Sequence, residues 1–97
     1  MLFRKAILLI HGFAGGVWDY EPLSNELQLS LDFDVYSLTL PGHEKSRMIN
    51  IKKEQWEEAV EQHIEMLIKR KYKKIYVIGH SMGGVLACHL AKKYPQV

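Results

Sequence analysis

Ile75-Tyr76-Val77-Ile78-Gly79-His80-Ser81-Met82-Gly83-Gly84 is the stretch on which the reading of this chain turns. Ile75–Ile78 is a short apolar run rich in β-branched and aromatic residues and reads as a buried strand. Gly79–Gly84 reads as a tight turn. Met82–Tyr94 has helical spacing, with Met82, Val85, Leu86 and Leu90 inward, Lys92 and Lys93 suiting its C-terminal end and Pro95 closing it. A strand and a helix joined this closely put Ser81 at the apex of a sharp corner, in a strained backbone conformation. The chain passes close to itself on either side of that apex. Positions 79 and 83 can then hold no side chain, a need that Gly79 and Gly83 meet. Gly84 is expected to let the helix approach the sheet closely.

The same alternation runs through the rest of the chain. Ala6–Ile10 is a continuous apolar run, as in a strand covered on both faces. His11–Gly16 is a glycine-rich loop. From about Asp19, Tyr20, Leu23 and Leu27 recur at helical spacing, and Pro22 is tolerated in a first turn. Phe33–Leu40 reads as a second strand, ended by Pro41-Gly42, and His43–Ile51 is polar and irregular. Lys52–Lys71 is the longest helical stretch, about 30 Å at 1.5 Å per residue, with Trp56, Val60, His63, Ile64 and Leu67 on one face. Strands joined through helices are parallel with right-handed crossovers, and a parallel sheet needs cover on both faces. The expected fold class is therefore α/β, three layers of helix, parallel sheet and helix.

Composition narrows the function classes. The chain has 97 residues, 47% of them hydrophobic, which suits one globular domain. Thirteen Lys and Arg against 11 Asp and Glu give a net charge of +2. The lysines within Lys69–Lys74 read as a solvated helix end rather than a nucleic-acid patch. The Ala6–Ile10 run is too short for a signal peptide, and no stretch approaches the ~20 apolar residues of a membrane helix. Cys88 is the single cysteine, so no internal disulfide forms, which fits a reducing compartment. Its setting suggests a small core residue. The expectation is a cytoplasmic protein without nucleic-acid or stable membrane partners. No metal is expected, because the five histidines lack ligand spacing.

Gly79-His80-Ser81-Met82-Gly83 fits G-x-S-x-G, the pattern of a nucleophile elbow. Five residues with three fixed match often by chance, and the plain alternative is a strand–turn–helix with an idle serine. The preceding strand and following helix favour the nucleophile. Ester hydrolysis passes through an oxyanion, usually held by two backbone N–H groups. One would come from Met82. The other would come from Phe13, because Gly12 and the later glycines free the loop to turn that amide inward. The plain alternative is an ordinary glycine-rich turn. A phosphate-cradling loop is the third, although neither G-x-x-x-x-G-K-[ST] nor G-x-G-x-x-G is present.

Together, the His11-Gly12-Phe13 loop after the first strand, Leu40-Pro41-Gly42-His43 after the second and Gly79–Gly84 after the third resemble the α/β-hydrolase superfamily. The likeness is nearest to small carboxylesterases and monoacylglycerol-lipase- or lysophospholipase-like enzymes. The resemblance implies a partial α/β-hydrolase fold with Ala6–Ile10 as the middle strand. It implies Ser81 as nucleophile, the Phe13 and Met82 amides as oxyanion hole, an acyl-enzyme, a small acyl ester as substrate and no cofactor. His11 would brace the oxyanion loop, and His43 would lie near the site without being the base.

The same family order requires an Asp or Glu and then a His well after Ser81. Residues 82–97 contain no acid, and their one histidine, His89, lies two turns along the same helix. His80 projects differently from the apex, and His63 reads as a packed histidine. Residues 1–97 are therefore expected to be the N-terminal part of one hydrolase domain, truncated and nearly inert alone. In serine proteases the loss of nucleophile or base costs about 10⁶ in rate. A non-catalytic interaction module or a fragment is the competing reading. A parallel sheet cut after its third strand would also expose an edge prone to self-association.

Overall fold

The computed structural model describes residues 4–29, 33–43 and 51–97. Three strands, β1 (Lys5–Ile10), β2 (Phe33–Leu38) and β3 (Lys74–Gly79), form one parallel sheet in the order β2-β1-β3. A short 3₁₀ turn, Val17–Tyr20, leads into helix α1 (Glu21–Gln28) between β1 and β2. Helix α2 (Lys53–Lys69) joins β2 to β3, and α3 (Met82–Lys93) follows β3. The layering and the central position of Ala6–Ile10 are as expected. The second strand stops at Leu38, two residues short of the expected end, because the Leu40 N–H donates to the ring of His11 instead of to a neighbouring strand. Most of the irregular segment His43–Ile51 is residues 44–50, which lie outside the described residues.

Period-two alternation along β1 splits the core in two. Ala6, Leu8 and Ile10 face α2 and α3, meeting Val60, Ile64, Leu67, Leu86 and Leu90. Ile7 and Leu9 face the other side, under Tyr20 and Leu27 with Phe33 and Val35. This explains why the β1 run is apolar without interruption.

The expectation of a strand buried on both faces fails at β3. Ile75 is fully buried, but Tyr76 and Ile78 are 42% and 39% exposed. Helix α1 packs on β2, at the opposite edge of the sheet. Along the outer edge of β3, the C-terminal tail meets the strand at Ile75, whose N–H donates to the Gln96 carbonyl at 3.1 Å.

The connection order places the site. The path runs from β1 outward to β2, then back past β1 to β3. That reversal puts α1 and α2 on opposite faces and leaves a crevice at the C-terminal ends of β1 and β3, where open α/β sheets bind ligands.

Candidate active site

Ser81 stands at that crevice, exposed, as the residue that caps α3. Its φ is 56° and its ψ −118°. A non-glycine residue with positive φ and this ψ is strained, and such a conformation persists only where the surroundings hold it. They do so here by hydrogen bonds on both sides. The His80 N–H donates to the Ile10 carbonyl at 3.2 Å, extending the β1–β3 ladder to the corner. Gly83 N–H donates to His80 O at 2.8 Å, and Gly84 N–H to Ser81 O at 2.9 Å.

The two flanking glycines are required by contact. A Cβ on Gly79 would overlap the backbone of Gly83 and Gly84, and one on Gly83 would overlap the carbonyls of Ile10 and His11. Gly84 is different from the expectation. A Cβ there would stand 3.4 Å from the Gly79 carbonyl oxygen, an ordinary contact, so Gly83 alone brings the helix against β1.

The loop after β1 lies against the corner. A Cβ on Gly12 would come within 3.1 Å of the His80 carbonyl oxygen and 3.3 Å of Ser81 Cβ. Phe13 follows, its ring 60% exposed and edge-on to His43 and Trp56 at centroid distances of 6.1 and 6.0 Å. Among the described residues, neither the Phe13 N–H nor the Met82 N–H has a protein acceptor.

Two buried histidines, His11 and His43, meet with ring centroids 4.7 Å apart and planes tilted by 50°, and tie the loops together. His11 Nε2 accepts from the Leu40 N–H at 3.1 Å, and its Nδ1 lies 2.9 Å from the Gly12 carbonyl. His43 Nε2 accepts from the Ala14 N–H at 2.9 Å, and its Nδ1 lies 3.2 Å from the Pro41 carbonyl. An amide N–H can only donate and a carbonyl can only accept, so both rings are neutral with the proton on Nδ1. Burial pushes the pKa of His11 down, against an opposing pull from its Gly12 bond. Trp56 completes the group by donating from Nε1 to the Pro41 carbonyl at 2.9 Å. Helical spacing places Trp56 only on the apolar face of α2; its link to Pro41 depends on how α2 meets the loop after β2, which no local pattern encodes.

The remaining histidines are elsewhere. His80 is exposed beside Ser81. His63 is half-buried on α2 with Nδ1 3.2 Å from the Ala59 carbonyl. His89 pairs with Glu61 at 2.6 Å, and Lys93 reaches the same carboxylate at 2.9 Å. Both contacts hold the Glu61 carboxyl below its ordinary 4.5. His89 is eight residues beyond Ser81 on the helix, about 12 Å along its axis.

Two inward assignments on α3 are corrected. Val85 is 70% exposed and Cys88 is exposed, because the buried stripe runs through Gly83, Leu86 and Leu90 and both residues lie off it. Val85 instead lines a cavity of about 660 Å³ with Trp56, Ser81, Met82, Leu86 and His89. Among the described residues no group of three or more His, Cys, Asp or Glu could hold a metal ion, and no helix is long and apolar enough to cross a membrane.

A parallel sheet with helices on both faces, and a strained serine between strand and helix at its C-terminal edge, defines a hydrolase-type α/β protein. The sequence profile of the α/β hydrolase fold matches residues 5–97, and the chain belongs to that family. Over 90 residues, 93% of this chain, it is 31% identical to the dihydrolipoyllysine-residue acetyltransferase component of an acetoin cleaving system from Pseudomonas putida. Over 86 residues, 87% of this chain, it is 24% identical to "Putative esterase/lipase 2" of Mycoplasma pneumoniae. These matches span 24% and 31% of the two relatives, so the chain covers about a quarter to a third of their length.

Proposed function

We propose that this chain supplies the nucleophile and the oxyanion-binding amides of a serine hydrolase acting on carboxylic esters, with base and acid lying outside these 97 residues. The observation that carries the proposal is the strained backbone of Ser81, φ 56°, at a corner where two glycines admit no side chain. Strain of this kind costs about 1–3 kcal/mol and is kept where a function uses it. The family membership and the likeness to the M. pneumoniae protein, by its name an esterase or lipase, support the same reading.

The chemistry follows from the residues. Ser81 Oγ attacks the ester carbonyl carbon while its proton passes to the base. The carbonyl oxygen becomes an oxyanion, held by the N–H groups of Phe13 and Met82. Collapse expels the alcohol and leaves an acyl-enzyme, which water hydrolyses with the same base. One oxyanion donor contributes about 2.7–4 kcal/mol in a comparable hydrolase. The positive end of the α3 dipole favours the same charge. The cavity beside Ser81 lies within the roughly 300–1,000 Å³ of small-molecule sites. Its Trp56, Met82, Val85 and Leu86 lining supports an ester with an apolar arm.

A fluorophosphonate ester tests the nucleophile without needing turnover. The expected result is slow modification of the 97-residue chain at Ser81, faster than at any other serine, and none at that position in Ser81→Ala. Modification of Ser81 no faster than of Ser24 or Ser37 contradicts the proposal.

A further inference from the structure

We infer that His43 is a positioning residue for the oxyanion loop: its unprotonated Nε2, by accepting from the Ala14 N–H, sets the peptide that orients the Phe13 amide. This rests on the serine-hydrolase reading of Ser81 and adds a residue to it.

Ala14 carries a φ of 61°, the left-handed region, without being glycine. That conformation is strained for an L-residue, so something must hold it. The Gly12 carbonyl, on the peptide that carries the Phe13 N–H, faces His11 Nδ1 at 2.9 Å. Gly15 N–H donates to the Gly12 carbonyl at 3.0 Å, and Gly16 N–H to Asp19 Oδ2 at 3.2 Å. Those bonds hold the Gly12–Phe13 peptide and close the turn, but none of them reaches the next peptide, Phe13–Ala14. Among the described residues, the Ala14–His43 bond is the hydrogen bond that ties the Phe13–Ala14 peptide to another element.

The acceptor is itself well held. His43 is buried, 4% exposed, and its ring packs against that of His11 in a tilted contact. Its Nδ1–H faces the Pro41 carbonyl, its own N–H donates to Leu40 O at 3.0 Å, and Trp56 Nε1–H braces Pro41 from α2. The Phe13 ring lies edge-on to both His43 and Trp56, so the residue whose amide is in question is held from its side chain as well. His43 does not line the cavity beside Ser81, so its effect passes through the loop.

The test compares His43→Leu with His43→Gln, since the glutamine amide oxygen can stand where Nε2 stands. The readout is the saturable rate of Ser81 phosphonylation, kinact, separated from the binding constant KI. His43→Leu is expected to lower kinact by about 10–100-fold, less than the roughly 10²–10³ lost when one oxyanion donor is removed outright. KI should be little changed, and His43→Gln should recover most of kinact. A parallel loss in KI, or no recovery with glutamine, overturns the positioning role. If wild-type Ser81 is not modified selectively, the hydrolase reading itself fails; if it is, and His43→Leu reacts equally fast, only this inference fails. A wild-type measurement covers the case in which the leucine variant does not fold. The ¹⁵N shifts of the His43 ring should show Nδ1 protonated and Nε2 bare, with a slowly exchanging Ala14 amide. An Nε2–H tautomer overturns the inference.

Discussion

The two ends of the sheet handle their polar groups differently. At the N-terminal end, side chains close on one another. Tyr72 OH donates to Asp34 Oδ2 at 2.7 Å and stands 2.6 Å from Tyr36 OH. Arg4 reaches both Asp34 and Tyr72 at 2.9 Å and lies over the Tyr72 ring, and Arg70 donates to Tyr36 at 3.2 Å. At the C-terminal end, histidine rings accept from loop amides, Ser81 and Ala14 sit at positive φ, and the Phe13 and Met82 donors stay open. Positive φ alone does not mark a site: Lys71 has φ 68° as well, but it follows α2 and its N–H bonds back to Ile68, an ordinary helix end. The contrast is between a network with its donors used and one that leaves donors and strain at a single point.

The largest effect expected from breaking this contrast is at Gly83. Gly83→Ala drives a methyl into the β1 backbone and should cost about 3 kcal/mol in urea unfolding, the upper range for overpacking. Gly84→Ala, one residue on, meets only ordinary contacts and should change stability by no more than about 1 kcal/mol, in the stabilising direction, since alanine favours the helix. Equal effects at the two positions would contradict the proposed packing of α3 on β1.

A smaller effect is expected at the other end. Tyr72→Phe removes the hydroxyl shared by Asp34, Tyr36 and Arg4, and should cost about 1 kcal/mol because the network is half open to solvent. The rate of Ser81 phosphonylation should not change. A loss of reactivity there would mean that the two ends are coupled.

Acid sharpens the comparison most gently. His11 has a folded pKa below its ordinary 6.5, so its contribution is present above 6.5 and lost as pH falls through the lowered folded value. Asp34, held down first by Tyr72 and then by Arg4, contributes above its ordinary 3.8 and loses that as pH falls through its lowered value. Glu61 behaves likewise below 4.5. Both carboxylates are on the surface, and their contribution is screened by salt. Urea midpoints followed from pH 7.5 downward should therefore fall first in the histidine range and again below about pH 4.5. An NMR titration of His11 should give a midpoint below 6.5. A midpoint above it would contradict the neutral clamp.

Much of this was legible in the residues. The unbroken apolar run Ala6–Ile10 marked the strand covered on both faces, and Gly79 and Gly83 marked the corner, because a backbone clash leaves a glycine at a fixed spacing. Less legible was which residues a helix turns outward. Val85 and Cys88 look apolar and inward by composition, but the buried stripe is set by where Gly83 lets α3 touch β1. The exposed face of β3 was hidden for a similar reason. Tyr76 and Ile78 have the composition of a buried strand, but α1 packs on β2 at the opposite edge and both stay partly exposed. The His43–Ala14 bond joins residues 29 apart through a side-chain nitrogen, and no periodicity encodes such a pair.

The most direct measurement of the central claim is a crystal structure of the chain with Ser81 phosphonylated, the adduct standing in for the tetrahedral intermediate. The phosphonyl oxygen is expected within hydrogen-bonding distance, about 3 Å, of both the Phe13 and the Met82 nitrogen. An adduct whose oxygen points to solvent, with the Phe13 amide turned away, would contradict it.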